Sequence, residues 1–203
     1  MVRAILDGRK TVTRRCLKQP FTVHPNGYIT KPRGNENLCP YTPPYQPGDI
    51  LYVRETWTND KLIFGNGVGS IYRYKADGEE FLNANGEYVG VPWRPSIHMP
   101  KEAARIFIKV TDVRVERLQD ITEEQAQEEG AMKCLEVVRP DEENPVIYQD
   151  SQGYYVIGFK NIWNNTVKQS DLDRYGWNAN PYVWVIEFEN CDKPEKWDKE
   201  NAC

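Results

Sequence analysis

The chain has 203 residues and a net charge of −4, and 39% of its residues are hydrophobic, 28% charged and 12% aromatic. This length suits one well-filled core, the composition is typical of a soluble globular protein, and the apolar runs are too short to span a bilayer. The five cysteines are widely spaced without a C-x-x-C pair, so neither a disulfide framework nor a zinc site is indicated. We expect a cytoplasmic protein, since residues 1–10 carry four charged side chains where a signal peptide would be apolar.

Basic residues are concentrated near the N-terminus. The first 33 residues hold eight Lys or Arg and one acidic residue, Asp7. A local basic patch on an acidic body is typical of a protein that binds a small anionic or nucleotide-like ligand or a short nucleic acid. A solvated basic segment would have the same composition, so both interpretations stay open.

Short elements alternate with turns at the start of the chain. An apolar face over residues 1–6 predicts a short helix that ends at Gly8, and residues 11–13 predict a short strand. Residues 18–47 hold seven prolines, which predicts a long irregular loop with at most a small hairpin at residues 26–27.

The central part begins with a turn at residues 47–49 and a buried strand over residues 50–55. Residues 58–90 are rich in Gly and Asn and predict an insertion that contains one strand, over residues 70–75. Prolines punctuate residues 93–100, which predicts an ordered loop.

A long strand and a capped helix follow. Alternating apolar residues predict a strand over residues 105–118 with a bend near Asp112. Residues 122–125 have the sequence of a capping box, which predicts a helix over residues 123–129 that stops at Gly130.

The C-terminal part adds a second helix and a second long strand. Residues 132–153 are acidic and irregular, residues 154–167 predict an amphipathic helix, and residues 182–188, apolar on both faces, predict a central strand. Residues 191–203 form a charged tail. Short strands with two or three helices predict a small, curved mixed sheet or barrel of the α+β class.

The stretch most able to carry chemistry is residues 8–15. The hydroxyl of Thr13 needs a base before it is nucleophilic, and Lys10 can be that base only if burial or a neighbouring cation lowers its pKa. Glu128 and Glu129 are both candidates for a carboxylate that orients the lysine or moves a proton. A plain basic turn with two surface acids would have the same residues, so both interpretations remain.

Several familiar sites are not indicated. The chain has no glycine-rich phosphate loop in the required strand-and-helix context and no serine nucleophile elbow. Its two histidines, His24 and His98, are far apart and away from any cysteine pair. We therefore expect no metal and no cofactor.

Seven segments together carry a resemblance to a known family. They are residues 5–15, 47–55, 51–57, 93–100, 110–129, 178–181 and 183–188. These segments resemble the ASCH domain of the PUA-like β-barrel superfamily, in particular the longer ASCH proteins of bacteriophages and prophages. The resemblance implies a PUA-like small mixed β-barrel with flanking helices, as one domain over residues 1–190 with insertions at about 58–92 and 131–175.

The resemblance also implies an activity. Compact bacterial ASCH proteins similar to this core are amidohydrolases that remove the acetyl group from N4-acetylcytidine with a Thr, a Lys and a Glu. Their G-R-K-T-x-T-x-R motif matches residues 8–15, which implies Thr13 as nucleophile, Lys10 as the base that takes and returns the proton, and Glu129 as the group that positions Lys10 or assists the leaving amine. Arg14 stands where those enzymes carry an apolar residue.

PUA-like barrels bind RNA or modified bases, so the resemblance implies a nucleoside, short RNA or other single-stranded nucleic acid as ligand. Cations and aromatic rings suit phosphates and unpaired bases, and the binding residues implied are Arg9, Arg14, Arg15, Arg54, Trp57, Trp93 and Arg94. A non-catalytic binder of RNA or a modified nucleotide, phage-encoded and located in the host cytoplasm, is the alternative. A protein-interaction role in phage assembly or regulation is a third.

Overall fold

The computed structural model describes residues 1–26, 28–33, 37–64, 67–78, 92–137, 146–148 and 154–195. Within these ranges the chain is a mixed α+β protein, as predicted, and no helix is both long and apolar enough to cross a membrane. The helices are α1 Val2–Leu6, α2 Glu123–Glu128, α3 Tyr155–Thr166 and α4 Leu172–Tyr175. The strands are β1 Val12–Cys16, β2 Thr22–Val23, β3 Ile29–Arg33, β4 Asn37–Pro40, β5 Ile50–Tyr52, β6 Trp57–Phe64, β7 Gly67–Tyr74, β8 Phe107–Arg117, β9 Leu135–Val137, β10 Val146–Tyr148 and β11 Tyr182–Cys191.

The principal sheet is a curled antiparallel half-barrel with the strand order β1–β11–β8–β5. The predicted central strand is therefore confirmed, since β11 lies between β1 and β8. Its apolar residues are buried on both faces, with Val185 and Ile186 each 1% exposed or less. β1 pairs antiparallel with β11 so that Thr13 lies opposite Ile186 and Arg14 opposite Val185.

The chain divides into two compact units, which are described separately. Unit 1 comprises Met1–Asp7, Ile50–Ile108 and Asn190–Cys203, and unit 2 comprises Gly8–Asp49 and Lys109–Glu189.

The core of unit 2 forms where the sheet meets α2 and α3. Val12, Val183 and Val185 from the strands pack with Phe159 and Trp163 from α3. These two aromatic residues are four positions apart and so share one helix face, which confirms the predicted amphipathic helix. The capping box of α2 is also confirmed, with both of its reciprocal hydrogen bonds present.

The core of unit 1 forms around the hairpin of β6 and β7. Trp57 and Tyr74 from the hairpin pack with Met99 and Phe107. The α1 helix belongs to this unit, where the Arg3 Nε–H donates to the Ala76 carbonyl at 2.7 Å. As predicted, α1 ends just before Gly8, whose φ of +69° is the left-handed conformation of a helix stop.

The predicted long irregular loop over residues 18–47 is wrong in part. It contains a three-stranded antiparallel sheet in the order β2–β3–β4. Pro32 lies in the middle strand, but β2 pairs only with Ile29 and Thr30, so β3 is locally an edge at Pro32 and tolerates a residue without an N–H. The predicted turn at residues 26–27 lies partly outside the described residues.

Other boundaries also differ from the predictions. The strand predicted over residues 50–55 ends at Tyr52, and the Gly- and Asn-rich stretch contains the unpredicted strand β6, paired with β7. A short hairpin of β9 and β10 lies in the stretch predicted to be irregular. The rest of the predicted insertions, at residues 79–91, 138–145 and 149–153, and the tail beyond residue 195 lie outside the described residues.

Candidate functional site

The residues just before β1 lie next to the C-terminal end of α2 within unit 2. Lys10 and Glu129 pair as an antiparallel bridge, and the Thr11 N–H donates to the Glu128 carbonyl at 2.9 Å. A glycine with positive φ lies close to each bridged residue: Gly8, at +69°, precedes Lys10, and Gly130, at +79°, follows Glu129. Two residues 119 positions apart, which the resemblance placed in one site, are therefore neighbours.

The Lys10 ammonium is buried and fully hydrogen-bonded. Lys10 and Glu129 are 4% and 3% exposed. Lys10 Nζ donates to Glu129 Oε2 at 2.5 Å, to the Val12 carbonyl at 2.7 Å and to the Glu129 carbonyl at 3.0 Å. These three acceptors use all three ammonium protons.

Burial lowers the pKa of Lys10 below its usual 10.5. Desolvation is the largest cause, the Glu129 carboxylate opposes it, and the cations Arg15 and Arg14 act in the same direction as desolvation. A lowered pKa is what a lysine base needs. The neighbouring arginines supply the cationic effect that the basic stretch predicted.

Arg14 occupies the other side of the same carboxylate. Its side chain is fully buried, and Nη1 donates to Glu129 Oε1 at 3.3 Å while Nη2 donates to Gln125 Oε1 at 2.9 Å. Nη2 also lies 3.5 Å from Glu116 Oε2, and the guanidinium lies over the Phe159 ring. Each oxygen of Glu129 thus has its own cation, Lys10 on Oε2 and Arg14 on Oε1.

Gln125 is a residue of this cluster that the sequence analysis assigned only to the helix cap. Its side-chain oxygen accepts from the Thr122 N–H at 3.2 Å, as the capping box requires, and also from Arg14. Gln125 and Glu129 are four positions apart and so share one side of the helix end. This four-residue spacing is visible in the sequence, and it indicates that a cation in contact with Gln125 can also contact Glu129.

Thr13 is not part of this cluster. Successive side chains of a strand point to opposite faces, so Thr13 lies on the face of β1 opposite to Val12 and Arg14. The structure therefore brings together Lys10, Arg14 and Glu129, and places Thr13 on the other side of the strand. Its role as nucleophile remains a prediction.

An open cavity of about 890 Å³ lies beside the Lys10 and Glu129 pair. Their chain neighbours Arg9, Thr11 and Glu128 line it, together with groups from α2 and α3. Among the described residues that line it, the charges balance, with two cations, Arg9 and Lys133, and two carboxylates, Glu124 and Glu128. A cavity of this kind suits an uncharged polar ligand such as a nucleoside better than a chain of phosphates.

The remaining residues assigned to binding are distributed over both units. Arg15 is exposed on β1 of unit 2, where Nη1 donates to the Arg14 carbonyl at 3.2 Å. Arg54, Trp57, Trp93 and Arg94 belong to unit 1.

In unit 1 two of the predicted binding residues, Trp57 and Arg94, contact each other. Trp57 is 4% exposed, and the Arg94 guanidinium lies 5.0 Å from its ring centroid. Arg54 is exposed and donates to the Tyr52 hydroxyl and the Ile97 carbonyl. A base that stacked on Trp57 would have to displace Arg94.

Comparison with protein-family models, with curated proteins and with solved structures found no match. The ASCH assignment and its PUA-like fold therefore remain predictions, carried by the motifs in the sequence. Within the described ranges, no three His, Cys, Asp or Glu side chains are grouped as metal ligands.

Proposed function

We propose that the chain is an ASCH-type, PUA-like protein that hydrolyses the amide bond of an N4-acylated cytosine nucleoside, free or within a short RNA. The observation that carries this proposal is the buried Lys10 and Glu129 pair beside an open polar cavity. A lysine with a lowered pKa, a carboxylate within 2.5 Å of it and room for a nucleoside are what the motif of residues 8–15 requires.

The proposed chemistry starts with neutral Lys10. The Thr13 oxygen attacks the acyl carbon, Lys10 takes the hydroxyl proton and returns it to the departing N4 amine, and water then releases the acyl group from Thr13. Lys10 Nζ lies 2.7 Å from the Val12 carbonyl, which belongs to the peptide group that joins Val12 to Thr13. Lys10 would have to exchange one of its three acceptors for the Thr13 hydroxyl.

A second candidate is a nucleoside or short-RNA binder without chemistry. Two observations favour it. The Glu129 carboxylate contacts two cations, Lys10 and Arg14, and Thr13 lies on the opposite face of β1 from Arg14. The first observation is expected of an ion cluster that stabilises the wall of a binding cavity. The second places the proposed nucleophile away from that cluster.

Incubation with N4-acetylcytidine, followed by chromatographic detection of cytidine, tests the first candidate. Hydrolysis predicts turnover by the wild-type protein, loss of turnover in Thr13→Val and its retention in Thr13→Ser. Thr22→Val is the matched control, because Thr22 is exposed and is not among the residues that line the cavity. Retained turnover in Thr13→Val, or an equal loss in Thr22→Val, would refute Thr13 as the nucleophile.

Calorimetric titration with the same nucleoside separates the two candidates. Binding without turnover across a range of pH supports the binder and refutes the hydrolase. The absence of both binding and turnover, for the free nucleoside and for a short RNA that contains it, refutes both.

A further inference from the structure

A second cleft in unit 2 has a different lining from the cavity beside Lys10. Its volume is about 690 Å³, and it is formed by the end of β1, residues 41–45 and the end of α3. Four aromatic side chains line it: Tyr41, Tyr45, Tyr175 and Trp184. The two cavities have no lining residue in common within the part of the chain that the structure describes.

Two of these aromatic rings are held in place by contacts within the chain, and a third is exposed. Tyr41 packs on Trp184, with ring centroids 5.9 Å apart. The Tyr41 hydroxyl donates to the Lys18 carbonyl at 3.3 Å and accepts from the Lys18 N–H at 3.1 Å. Tyr45 retains 37% of its surface exposed. An exposed ring of this kind is a surface on which an unpaired base stacks.

The same cleft is cationic in a chain of net negative charge. Among the described residues that line it are three cations, Arg15, Lys18 and Lys168, and one carboxylate, Asp171. All three cations are exposed, so a ligand could reach them without unfolding. The cavity beside Lys10, with two carboxylates among its lining groups, lacks this excess of positive charge.

A smaller neighbouring cleft extends the cationic surface. Its volume is about 230 Å³, it shares Tyr175 with the larger cleft, and it adds Arg117 and Arg174. The Arg117 guanidinium lies 3.8 Å from the Tyr182 ring centroid, so a cation and an aromatic ring lie together here too. The two clefts, which share Tyr175 as a lining residue, are together called the cationic groove below.

We propose that this cationic groove binds single-stranded nucleic acid, with bases on the aromatic rings and phosphates on the cations. Phosphates follow one another along a strand and require several cations, whereas stacking requires bases that are not paired. The proposal does not depend on hydrolysis at Lys10, because the groove and that cavity have separate linings.

Fluorescence anisotropy with a labelled oligouridylate of about 12 nucleotides, within the range of site sizes of single-strand-binding domains, tests the proposal. The triple variant Arg15→Gln, Lys18→Gln, Lys168→Gln should lower the slope of log K against log salt concentration by about 2, since each phosphate contact on a single strand contributes about 0.7. Tyr45→Ala should weaken binding by about 5-fold to 150-fold, the usual effect of losing one stacked base.

Two controls make the result specific. Lys109→Gln removes an exposed cation of unit 2 that lies outside the groove lining, and it should leave the affinity unchanged. The same oligouridylate paired with oligoadenylate should bind more weakly than the single strand. Competition by uridine monophosphate distinguishes a free nucleotide from a strand, because a single phosphate engages fewer cations.

Several outcomes would overturn the proposal. They are no binding of the oligouridylate at low salt, an unchanged salt slope in the triple variant, an equal loss in Lys109→Gln, equal binding of the duplex, or uridine monophosphate competing as well as the strand. The altered side chains are exposed, so unchanged circular dichroism of each variant is expected and verifies that it is folded.

Discussion

Glu129→Gln should destabilise the protein strongly. The substitution keeps the shape of the side chain but leaves Lys10 and Arg14, both buried, without the carboxylate that lies between them at 2.5 Å and 3.3 Å. Glu116, 3.5 Å from Arg14, is the nearest remaining acid of the cluster. Breaking a buried ion pair from one side costs about 3 to 5 kcal/mol. We expect the lower end, about 3 kcal/mol, because the new amide oxygen still accepts one hydrogen bond.

Urea unfolding followed by tryptophan fluorescence measures this loss, and a thermal melt should show a fall of about 6 to 12 °C for a chain of this length. Glu189→Gln is the matched control, because its pair with Lys109 is exposed and 3.9 Å long. That change should cost less than about 1 kcal/mol. The double variant Lys10→Met, Glu129→Gln should recover part of the loss, since one buried cation then remains instead of two. Equal effects of Glu129→Gln and Glu189→Gln would refute the reasoning.

Two further substitutions and one chemical modification test the surrounding structure. Thr122→Ala removes the hydroxyl that caps α2 by accepting from the Gln125 N–H at 3.2 Å. The free energy of unfolding in urea should fall by about 1 kcal/mol. An unchanged free energy of unfolding would contradict the contribution of this cap. Gly158→Ala would place a Cβ 1.9 Å from the Met132 carbonyl oxygen, so we expect the free energy of unfolding to fall by more than about 2 kcal/mol. A thermal melt like that of the wild type would show that α3 packs less closely there. Burial raises the pKa of the Cys16 thiol to about 11, so little of it is thiolate at pH 8. Its alkylation by iodoacetamide, followed by peptide mass spectrometry, should therefore be about 100-fold slower than that of a free cysteine. A rate equal to that of free cysteine would contradict this burial.

Local signals predicted the elements that depend on local interactions. The capping box before α2, the four-residue spacing of Phe159 and Trp163, and the apolar run of β11 each specify their element without distant partners. The sheet of β2, β3 and β4 could not be predicted in this way. Its prolines are acceptable only where a strand lacks a second neighbour, and that depends on pairing rather than on composition.

The candidate site shows a similar division. The motif match anticipated that Lys10 and Glu129 would meet, but it gave no reason to expect Arg14 inside the cluster. An arginine in a basic stretch is usually exposed, whereas the alternation of β1 places Arg14 on the same face as buried Val12. That alternation was visible in the sequence, and it also separates Thr13 from Arg14. The cationic groove depends on residues from distant parts of the chain, which sequence spacing does not bring together.

The position of Lys10 has a consequence for the stability of its variants. Val12 is 2% exposed, and its carbonyl accepts from the Lys10 ammonium at 2.7 Å. Replacing Lys10 would leave this buried carbonyl without that hydrogen bond as well as remove a base, and a buried acceptor without a partner costs about 1 to 3 kcal/mol. A loss of activity in such a variant therefore has to be compared with its urea unfolding midpoint, measured on the same sample.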